Sequence, residues 1–309
     1  MGCYARGGNC FAEKGAVVKT AFRNIGVVAR PNSQQALSTL RQLIAYLKAQ
    51  HRHVIIEDRL ESELRDLNLQ AANRKQMGEA CDLVIVVGGD GSLLSAGRTF
   101  AGYNVPLLGV NRGRLGFLTD ISPAELEEKV GQVLAGNYAT EHRFLLHMEV
   151  QRNRNLVGEG TALNDVVLLA GDSVHMLEFE LFIDGHFVYS QRSDGLIVST
   201  PTGSTAYALA GGGPIMHPKL DAIVLVPLNP HTLTSRPLVV DGNSEIKLRV
   251  LTKHLLPLVS CDGQEGVRVQ PEDVIYVRKK SKRLMLLHPP GHDFYEACRS
   301  KLGWSSRLG

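Results

Sequence analysis

A chain of 309 residues has room for about two domains, and its 44% hydrophobic and 21% charged residues are ordinary globular composition. The 34 Lys and Arg exceed the 31 Asp and Glu by only three, so the charge gives no strong electrostatic case for nucleic acid or a membrane as the main partner. No apolar run approaches the ~20 residues that span a bilayer, and the five cysteines lack the spacing of a disulfide framework or a zinc site, which favours a cytoplasmic protein.

The first half of the chain alternates predicted strands and helices. Residues 1–21 lack the apolar core of a secretory signal and are expected to form a loose extension. Residues 24–29 predict a strand, apolar residues recur at helical spacing after Ser33, and residues 53–56 predict a second strand. Residues 83–87 and 106–110 predict two further buried strands. This alternation favours an α/β domain with a parallel sheet and helices on both faces.

The third strand ends abruptly at the sequence GGDGS, residues 88–92. Such a junction of strand, glycine turn and helix exposes backbone N–H groups, and glycines without a Cβ let a phosphate come close. The predicted phosphate-binding residues are Gly88, Gly89, Gly91 and Ser92. A carboxylate at Asp90 repels phosphate unless it holds a metal ion or takes a proton from a nucleophile, which points to phosphoryl transfer. The alternative is that Asp90 caps the following helix.

Common nucleotide-binding patterns do not describe this turn. The GxGxxG fingerprint fails because Leu94 occupies the third glycine position, and GxxxxGK[ST] occurs nowhere in the chain. A glycine-punctuated loop, NRGRLGFLTD at residues 111–120, carries Arg112 and Arg114, which either reach phosphate or lie on the surface. The sequence SPAE at residues 122–125 then predicts a helix that begins with a capping box.

From about residue 144 the pattern changes to short strands. The clearest predicted strands are residues 179–183, 245–250, 274–277 and 284–287. The first of them leads into an Asp184-Gly185 hairpin turn, and the basic residues 279–283 are expected to form a solvated turn. Residues 294–302 predict a closing helix. The second domain is therefore expected to be mainly β.

This second domain also carries a dense polar stretch at residues 193–207, followed by three glycines. Its hydroxyl groups can satisfy ribose hydroxyls, and the ring of Tyr207 gives an adenine something to pack against. Loops of Ser, Thr and Gly are also common in β proteins, so the alternative is an ordinary polar loop.

Taken with this stretch, five motifs in their order resemble the NAD kinase family of bacterial type. The motifs are GGDGS at residues 88–92, NRGRLGFLTD at 111–120, LND at 163–165, PHTL at 230–233 and SCDGQ at 260–264. The resemblance, which runs from about residue 22 to KLGW at 301–304, implies a Rossmann-like domain over residues 22–140 and a β-sandwich-like NAD-binding domain over 141–288. It also implies that a C-terminal helix within 289–309 returns to the first domain, and that active sites lie near contacts in a homo-oligomer, a dimer or tetramer.

The resemblance further assigns residue roles, with Asp90 as the catalytic base. The substrate-binding residues that it implies are Asp90, Gly91, Asn164, Asp165, His175, Arg192, Asp194, Thr205, Ala206, Tyr207, Ala208, Leu209, Ala210 and Gln264. His175 could equally be a surface loop residue, and Arg192 could form a salt bridge within the sandwich. Three positions depart from the family pattern: Ser92 replaces a usual Thr, Asp165 a usual Glu, and Ala210-Gly211 a usual Ser-Ala. The shorter Asp165 would need a water to reach a ribose hydroxyl.

The implied function is transfer of the terminal phosphoryl group of ATP to the adenosine ribose 2'-hydroxyl of NAD, with a divalent metal ion such as Mg²⁺. No metal ligand is assigned. Another kinase with a GGDG turn, acting on a lipid or sugar phosphate, is the second hypothesis, and a non-catalytic dinucleotide sensor is the third. NAD and NADH are both candidate acceptors, and ATP and polyphosphate are both candidate donors.

Overall fold

The computed structural model describes residues 22–31, 34–112, 116–171, 175–253, 256–264 and 266–304. The predicted extension at residues 1–21 and the predicted phosphate ligand Arg114 lie outside these ranges. Two β-sheets organise the described chain. One is a mixed sheet of 11 strands that runs through both domains, and the other is an antiparallel sheet of six strands in the second domain.

The N-terminal domain is a parallel sheet covered by helices, as predicted. Its elements are β1 (Asn24–Ala29), α1 (Gln34–Ala49), β2 (His53–Glu57), β3 (Gln70–Ala72), α2 (Arg74–Ala80), β4 (Leu83–Val87), α3 (Asp90–Phe100), β5 (Leu107–Val110) and α4 (Leu126–Leu134). The strand order is β3-β2-β1-β4-β5. Alternate residues of β4 face two cores, one with α1 and the other with α3, which explains its uninterrupted apolar sequence. The sequence pattern missed β3 and α2, which are too short for a clear period.

The second domain is a sandwich of antiparallel strands, as predicted. Its elements are β6 (Ala139–Arg152), β7 (Asn155–Ala162), β8 (Asp165–Leu169), β9 (Leu177–Ile183), β10 (His186–Ser193), β11 (Gly195–Ser199), α5 (Tyr207–Ala210), β12 (Ala222–Leu228), β13 (Leu238–Asp241), β14 (Ile246–Val250), β15 (Leu258–Cys261), β16 (Val267–Arg268), β17 (Val274–His288) and α6 (Phe294–Leu302). The six-stranded sheet has the order β13-β12-β11-β8-β15-β16. Its buried side chains pack against those of β6, β9, β14 and β17.

Strand β17 joins the two domains. Its end pairs in parallel with β5, where Leu286 lies opposite Leu107, and most of its length pairs with β6. The prediction of two separate strands with a solvated turn at residues 279–283 was wrong. Lys279 and Arg283 both pair with β6, so the segment continues as one strand. The residues between them form an irregularity in the register, and residues 281–283 are exposed, as expected for the solvated segment. The predicted domain boundary at residue 140 lies one residue inside β6.

The start of α4 and the packing of α6 show how the chain folds back on itself. The predicted capping box before α4 was wrong, because the Ser122 hydroxyl donates to the Glu125 carboxylate at 2.6 Å and does not cap the backbone. At the C-terminus, α6 packs Phe294 against Phe117 of the first domain, with ring centroids 6.4 Å apart, and against His217 at 5.2 Å. The predicted return of the last helix is therefore confirmed. In the described part of the chain, no helix is long and apolar enough to cross a membrane.

Candidate active site

The GGDGS turn presents bare backbone between β4 and α3. Gly89 is the extended residue before the helix, and α3 begins at Asp90. A Cβ on Gly88 would collide with the Ser92 side chain, whereas positions 89 and 91 have open space where a Cβ would stand. A negatively charged group can therefore approach the helix start without meeting a side chain.

The Asp90 carboxylate is held by the loop that follows β5. Its Oδ2 accepts the backbone N–H of Phe117 at 2.9 Å, and its Oδ1 accepts the N–H of Leu118 at 3.1 Å and the hydroxyl of Thr119 at 3.3 Å. A Cβ at Gly116 would collide with Asp90 Oδ1, so this close approach requires glycine. The side chain does not cap α3, and the helix-cap interpretation was therefore wrong.

A cationic cavity of about 460 Å³ opens beside this turn, and we call it the arginine cavity. It is lined by Gly89, Gly91, Ser92, Ser95, Glu57 and four arginines, Arg30, Arg59, Arg74 and Arg112. Glu57 and Ser95 fix Arg74, at 2.7 and 2.9 Å. The combination of guanidinium groups and unobstructed N–H groups suits a chain of phosphates. Arg112 was predicted to reach a phosphate, and its position in the lining of this cavity is consistent with that prediction.

A turn of the second domain is fastened to α3 by Asp262. Its fully buried carboxylate accepts the N–H groups of Leu163, Asn164 and Asp165, at 3.0, 2.8 and 3.1 Å, and pairs with Arg98 at 2.5 Å. The helix that begins with Asp90 therefore also anchors the Asn164-Asp165 pair. Sequence reasoning missed Arg98 altogether and placed only the neighbouring Gln264 at the substrate.

A second cavity of about 330 Å³, the tyrosine cavity, lies at this turn. It is lined by Asn164, Asp165, Val167, Leu169, Ala206, Tyr207, Ser260, Asp262 and Gly263. The Tyr207 ring is 44% exposed, and the buried Oδ1 of Asn164 has no hydrogen-bond partner in the described structure. Burial and the nearby charge of Asp262 raise the pKa of Asp165 to about 7. An unsatisfied acceptor, a carboxyl group with a raised pKa and an open ring suit a polar, planar ligand.

The buried hydroxyl groups of the polar stretch at residues 193–207 form hydrogen bonds with nearby backbone and do not face the tyrosine cavity. Ser199, Thr200 and Ser204 are completely buried. Thr200 donates to the Leu163 carbonyl at 2.6 Å, and Ser204 donates to the Pro201 carbonyl at 2.7 Å. The expectation that these hydroxyls contact a ribose was therefore wrong for the buried ones. Of the rest of the predicted stretch, Ala208 is also buried in α5, and Thr205 is half-buried.

Three predicted residues, His175, Arg192 and Asp194, do not line either cavity. β11 pairs with β8 so that Ser199 faces Asp165 and Gly195 faces Leu169. Asp194 precedes this strand, about 16 Å from Ser199 at the usual rise of a strand, and accepts a hydrogen bond from Asn229 at 2.7 Å. Arg192 and His175 are exposed, as is Asp194. Within one chain, the structure does not bring these three side chains to Asp165, whereas the exposed Gln264 directly follows the Asp262 turn.

A buried ionic chain runs from Thr202, in the polar stretch, to Asp120, at the end of the loop that holds Asp90. Arg143 donates to Thr202 at 3.0 Å and to Glu141 at 2.9 Å, and Glu141 lies 3.1 Å from His288, which lies 2.9 Å from Asp120. Burial alone would raise the pKa of Glu141, but His288 and Arg143 lower it to about 2. Asp120 ends the loop that holds Asp90. Except for Arg143 and Glu141, these partners are distant in sequence. Only Asp120, at the end of the NRGRLGFLTD motif, and Thr202, in the polar stretch, lie in segments that the sequence singled out.

Two family models match the chain: the ATP-NAD kinase N-terminal domain over residues 25–138 and the ATP-NAD kinase C-terminal domain over residues 163–288. The NAD kinase of Alcanivorax borkumensis is 70% identical over 293 residues, which cover 95% of this chain and 98% of that protein. An NAD kinase of Pseudomonas putida is 61% identical over 290 residues, which cover 93% of this chain and 98% of that protein.

Two solved structures share the fold. Yeast NADH kinase in complex with NADH has a TM-score of 0.87 at 26% identity and covers 94% of this chain and 90% of its own. An NAD kinase from Archaeoglobus fulgidus in complex with ATP has a TM-score of 0.60 at 25% identity and covers 85% and 92%. Together with the fold and the glycine turn, these matches define a phosphotransferase. The chain belongs to the ATP-NAD kinase family.

Proposed function

We propose that the protein transfers the terminal phosphoryl group of ATP to the adenosine ribose 2'-hydroxyl of NAD, giving NADP and ADP, with Asp90 as the general base. The observation that carries this is a carboxylate oriented by three hydrogen bonds at the first residue of a helix, beside bare glycine backbone. A preset carboxylate can take the hydroxyl proton while N–H groups stabilise the phosphates. The Archaeoglobus and yeast kinases, solved with ATP and NADH, support this donor and a dinucleotide acceptor.

The arginine cavity is the proposed site of the ATP phosphates. Gly88, Gly89, Gly91 and Ser92 would present the helix start, and the surrounding guanidinium groups would neutralise charge. A divalent ion, with Mg²⁺ as the proposed one, fits Asp90, because Oδ2 accepts one hydrogen bond in the described structure and keeps a lone pair. Mg²⁺ usually combines one or two protein carboxylates with substrate phosphates, and when bound it supplies positive charge at the transferring group.

The tyrosine cavity is the proposed acceptor site. Asn164 and Asp165 would bind ribose hydroxyls, and Tyr207 would pack on the adenine, with Thr205, Ala206, Leu209 and Ala210 shaping that wall. Asp194, Arg192 and His175 would serve the site of a second copy, since they lie at the far end of β8 and β11. This arrangement is why we propose a homo-oligomer.

We also propose a cytoplasmic location. Cys81, Cys261 and Cys298 are buried free thiols, and burial raises the pKa of Cys261 to about 12, which keeps its thiol neutral. Buried neutral thiols are suited to a reducing compartment.

The decisive assay incubates the purified protein with Mg²⁺-ATP and either NAD or NADH and measures NADP or NADPH. Product is expected with at least one dinucleotide, and polyphosphate in place of ATP tests the donor. Diacylglycerol and a sugar phosphate are the comparison acceptors. Phosphorylation of either of these without any NADP or NADPH would contradict the proposed function.

A further inference from the structure

Three metal-ligating side chains meet where the chain closes under α6. Asp120 ends the loop that holds Asp90, His288 ends β17, and His292 lies just before α6. Asp120 Oδ2 lies 2.9 Å from His288 Nδ1 and 2.8 Å from His292 Nδ1, and the ligand atoms of the three residues all lie within 4.8 Å of one another. The two imidazole rings stack, with centroids 3.7 Å apart. Two nitrogens and one oxygen therefore converge on one point.

Glu141 lies beside the other ring nitrogen of His288 and restricts which group can lie between His288 and Asp120. Its Nε2 lies 3.1 Å from Glu141, which is fixed as a carboxylate by Arg143. A neutral imidazole has one N–H, so if Nε2 donates to Glu141, Nδ1 points a lone pair at the Asp120 carboxylate. That lone pair is free to coordinate a cation held together with Asp120. A metal-bound histidine that donates its other N–H to a carboxylate is the usual arrangement of metal sites.

Asp120 also has unused coordinating capacity. Its Oδ1 is buried and has no hydrogen-bond partner in the described part of the chain. A cavity of about 180 Å³ adjoins Asp120 and His292, and Glu125, Lys129, Asp293 and Glu296 also line it. The cavity has room for a water ligand, and its carboxylates outnumber its one ammonium group, so it attracts a cation. Two imidazoles, one carboxylate and a water are a frequent ligand set of Zn²⁺.

We propose that Asp120, His288 and His292 bind one divalent transition-metal ion, of which Zn²⁺ fits best, at a site separate from the phosphate-bound Mg²⁺. Imidazole ligands favour Zn²⁺ or Co²⁺ over Mg²⁺, which prefers oxygen. The ion would tie the segment before α6 to the loop whose N–H groups hold Asp90. Its role is therefore structural, and it supports Asp90 without touching the substrate.

The test uses the full-length protein, stripped with a chelator and dialysed without nucleotide or Mg²⁺. Titration with Zn²⁺ should show one bound equivalent and a higher melting temperature, and Co²⁺ should give the visible absorption of a low-coordinate ion with nitrogen ligands. His292→Ala should remove this equivalent, and its side chain is one-fifth exposed, so folding should tolerate the change. His217→Ala is the matched control, because it deletes another imidazole packed against α6 and should keep the equivalent.

Asp120→Asn is a second variant that keeps the size of the side chain and should lower metal affinity at least tenfold. Absence of a bound equivalent in the parent would overturn the proposal. So would an equivalent that survives both His292→Ala and Asp120→Asn, because it would then belong to other ligands in the chain.

Discussion

Asp90 in the first domain and Asp165 in the second are both predicted site carboxylates, but the chain surrounds them differently. Asp90 is half-buried beside the arginine cavity and accepts two backbone N–H groups and a hydroxyl. Asp165 is 5% exposed, and its charged neighbour is another carboxylate, Asp262. The first environment fixes an acceptor next to cations, whereas the second raises the pKa and favours a carboxyl that keeps its proton.

Asp262 shows a third use of the same side chain. Its carboxylate is completely buried, and three N–H groups and Arg98 compensate its charge. One residue type can therefore serve chemistry, substrate contact or domain attachment, and its immediate partners decide which. Substitutions should separate these roles into effects on turnover, on stability and on binding.

The largest effect is expected for Asp90→Asn. Loss of the proton acceptor should lower kcat by roughly 10²–10⁴-fold while NAD still binds. An asparagine also turns an NH₂ group toward one of the N–H donors, so some stability should be lost as well. Thr119→Val is the matched control, since it removes one hydrogen bond to the carboxylate and leaves the carboxylate itself. A folded Asp90→Asn enzyme within about threefold of the parent would end the assignment of Asp90 as the base.

Asp262→Asn should act on stability first. Removing one partner of a buried ion pair typically costs about 3–5 kcal/mol, and here Arg98 would remain buried opposite a neutral group. Urea unfolding measures the loss. Asp66→Asn breaks an exposed pair with Arg41 and should leave the unfolding midpoint nearly unchanged. Equal midpoints for the two variants would mean that Asp262 does not attach the second domain to α3.

Asp165→Asn should change how stability depends on pH. The pKa of Asp165 is about 7 in the folded protein against an ordinary value of 3.8, so the folded state holds the proton more tightly. Stability therefore falls as pH rises from about 4 to about 7, and asparagine, which does not ionise, escapes this loss. Relative to the parent, the variant should gain roughly 2–3 kcal/mol between pH 5 and pH 8. Parallel pH profiles of unfolding free energy would show that Asp165 is ionised throughout.

Asp194→Ala should have the smallest effect of the four. Loss of a charge-assisted hydrogen bond to the dinucleotide should raise the NAD dissociation constant about tenfold. Calorimetric titration with NAD is the direct measurement. An unchanged affinity in the folded variant would remove Asp194 from the site.

A mixing experiment tests whether Asp194 acts on a second copy. A hybrid of Asp90→Asn and Asp194→Ala chains contains one site that combines a native Asp90 with a native Asp194 from the other chain. Mixed and reassembled protein should therefore recover high-affinity turnover that neither variant shows alone. Recovery no better than the average of the two variants would place Asp194 in its own chain's site or in none.

Local sequence was enough for the features that depend on neighbouring residues. The apolar β4, the glycine turn after it and the start of α3 follow from burial on both faces and from missing Cβ atoms. The Asp184-Gly185 turn likewise formed where predicted, with both residues at positive φ. In contrast, the local sequence of β17 predicts two strands, and only the pairing with β6 makes them one strand.

Tertiary structure alone decided which partners surround each site residue. Arg98 and Asp262 are 164 positions apart, and Asp120 and His288 are 168 apart, so no period or spacing along the chain relates them. The family likeness predicted Asp90, Asn164 and Asp165 as site residues, but not the loop that orients Asp90 or the burial that raises the pKa of Asp165. Those properties depend on the distance to groups from other elements, and folding sets these distances by packing α3 and β17 between the two domains.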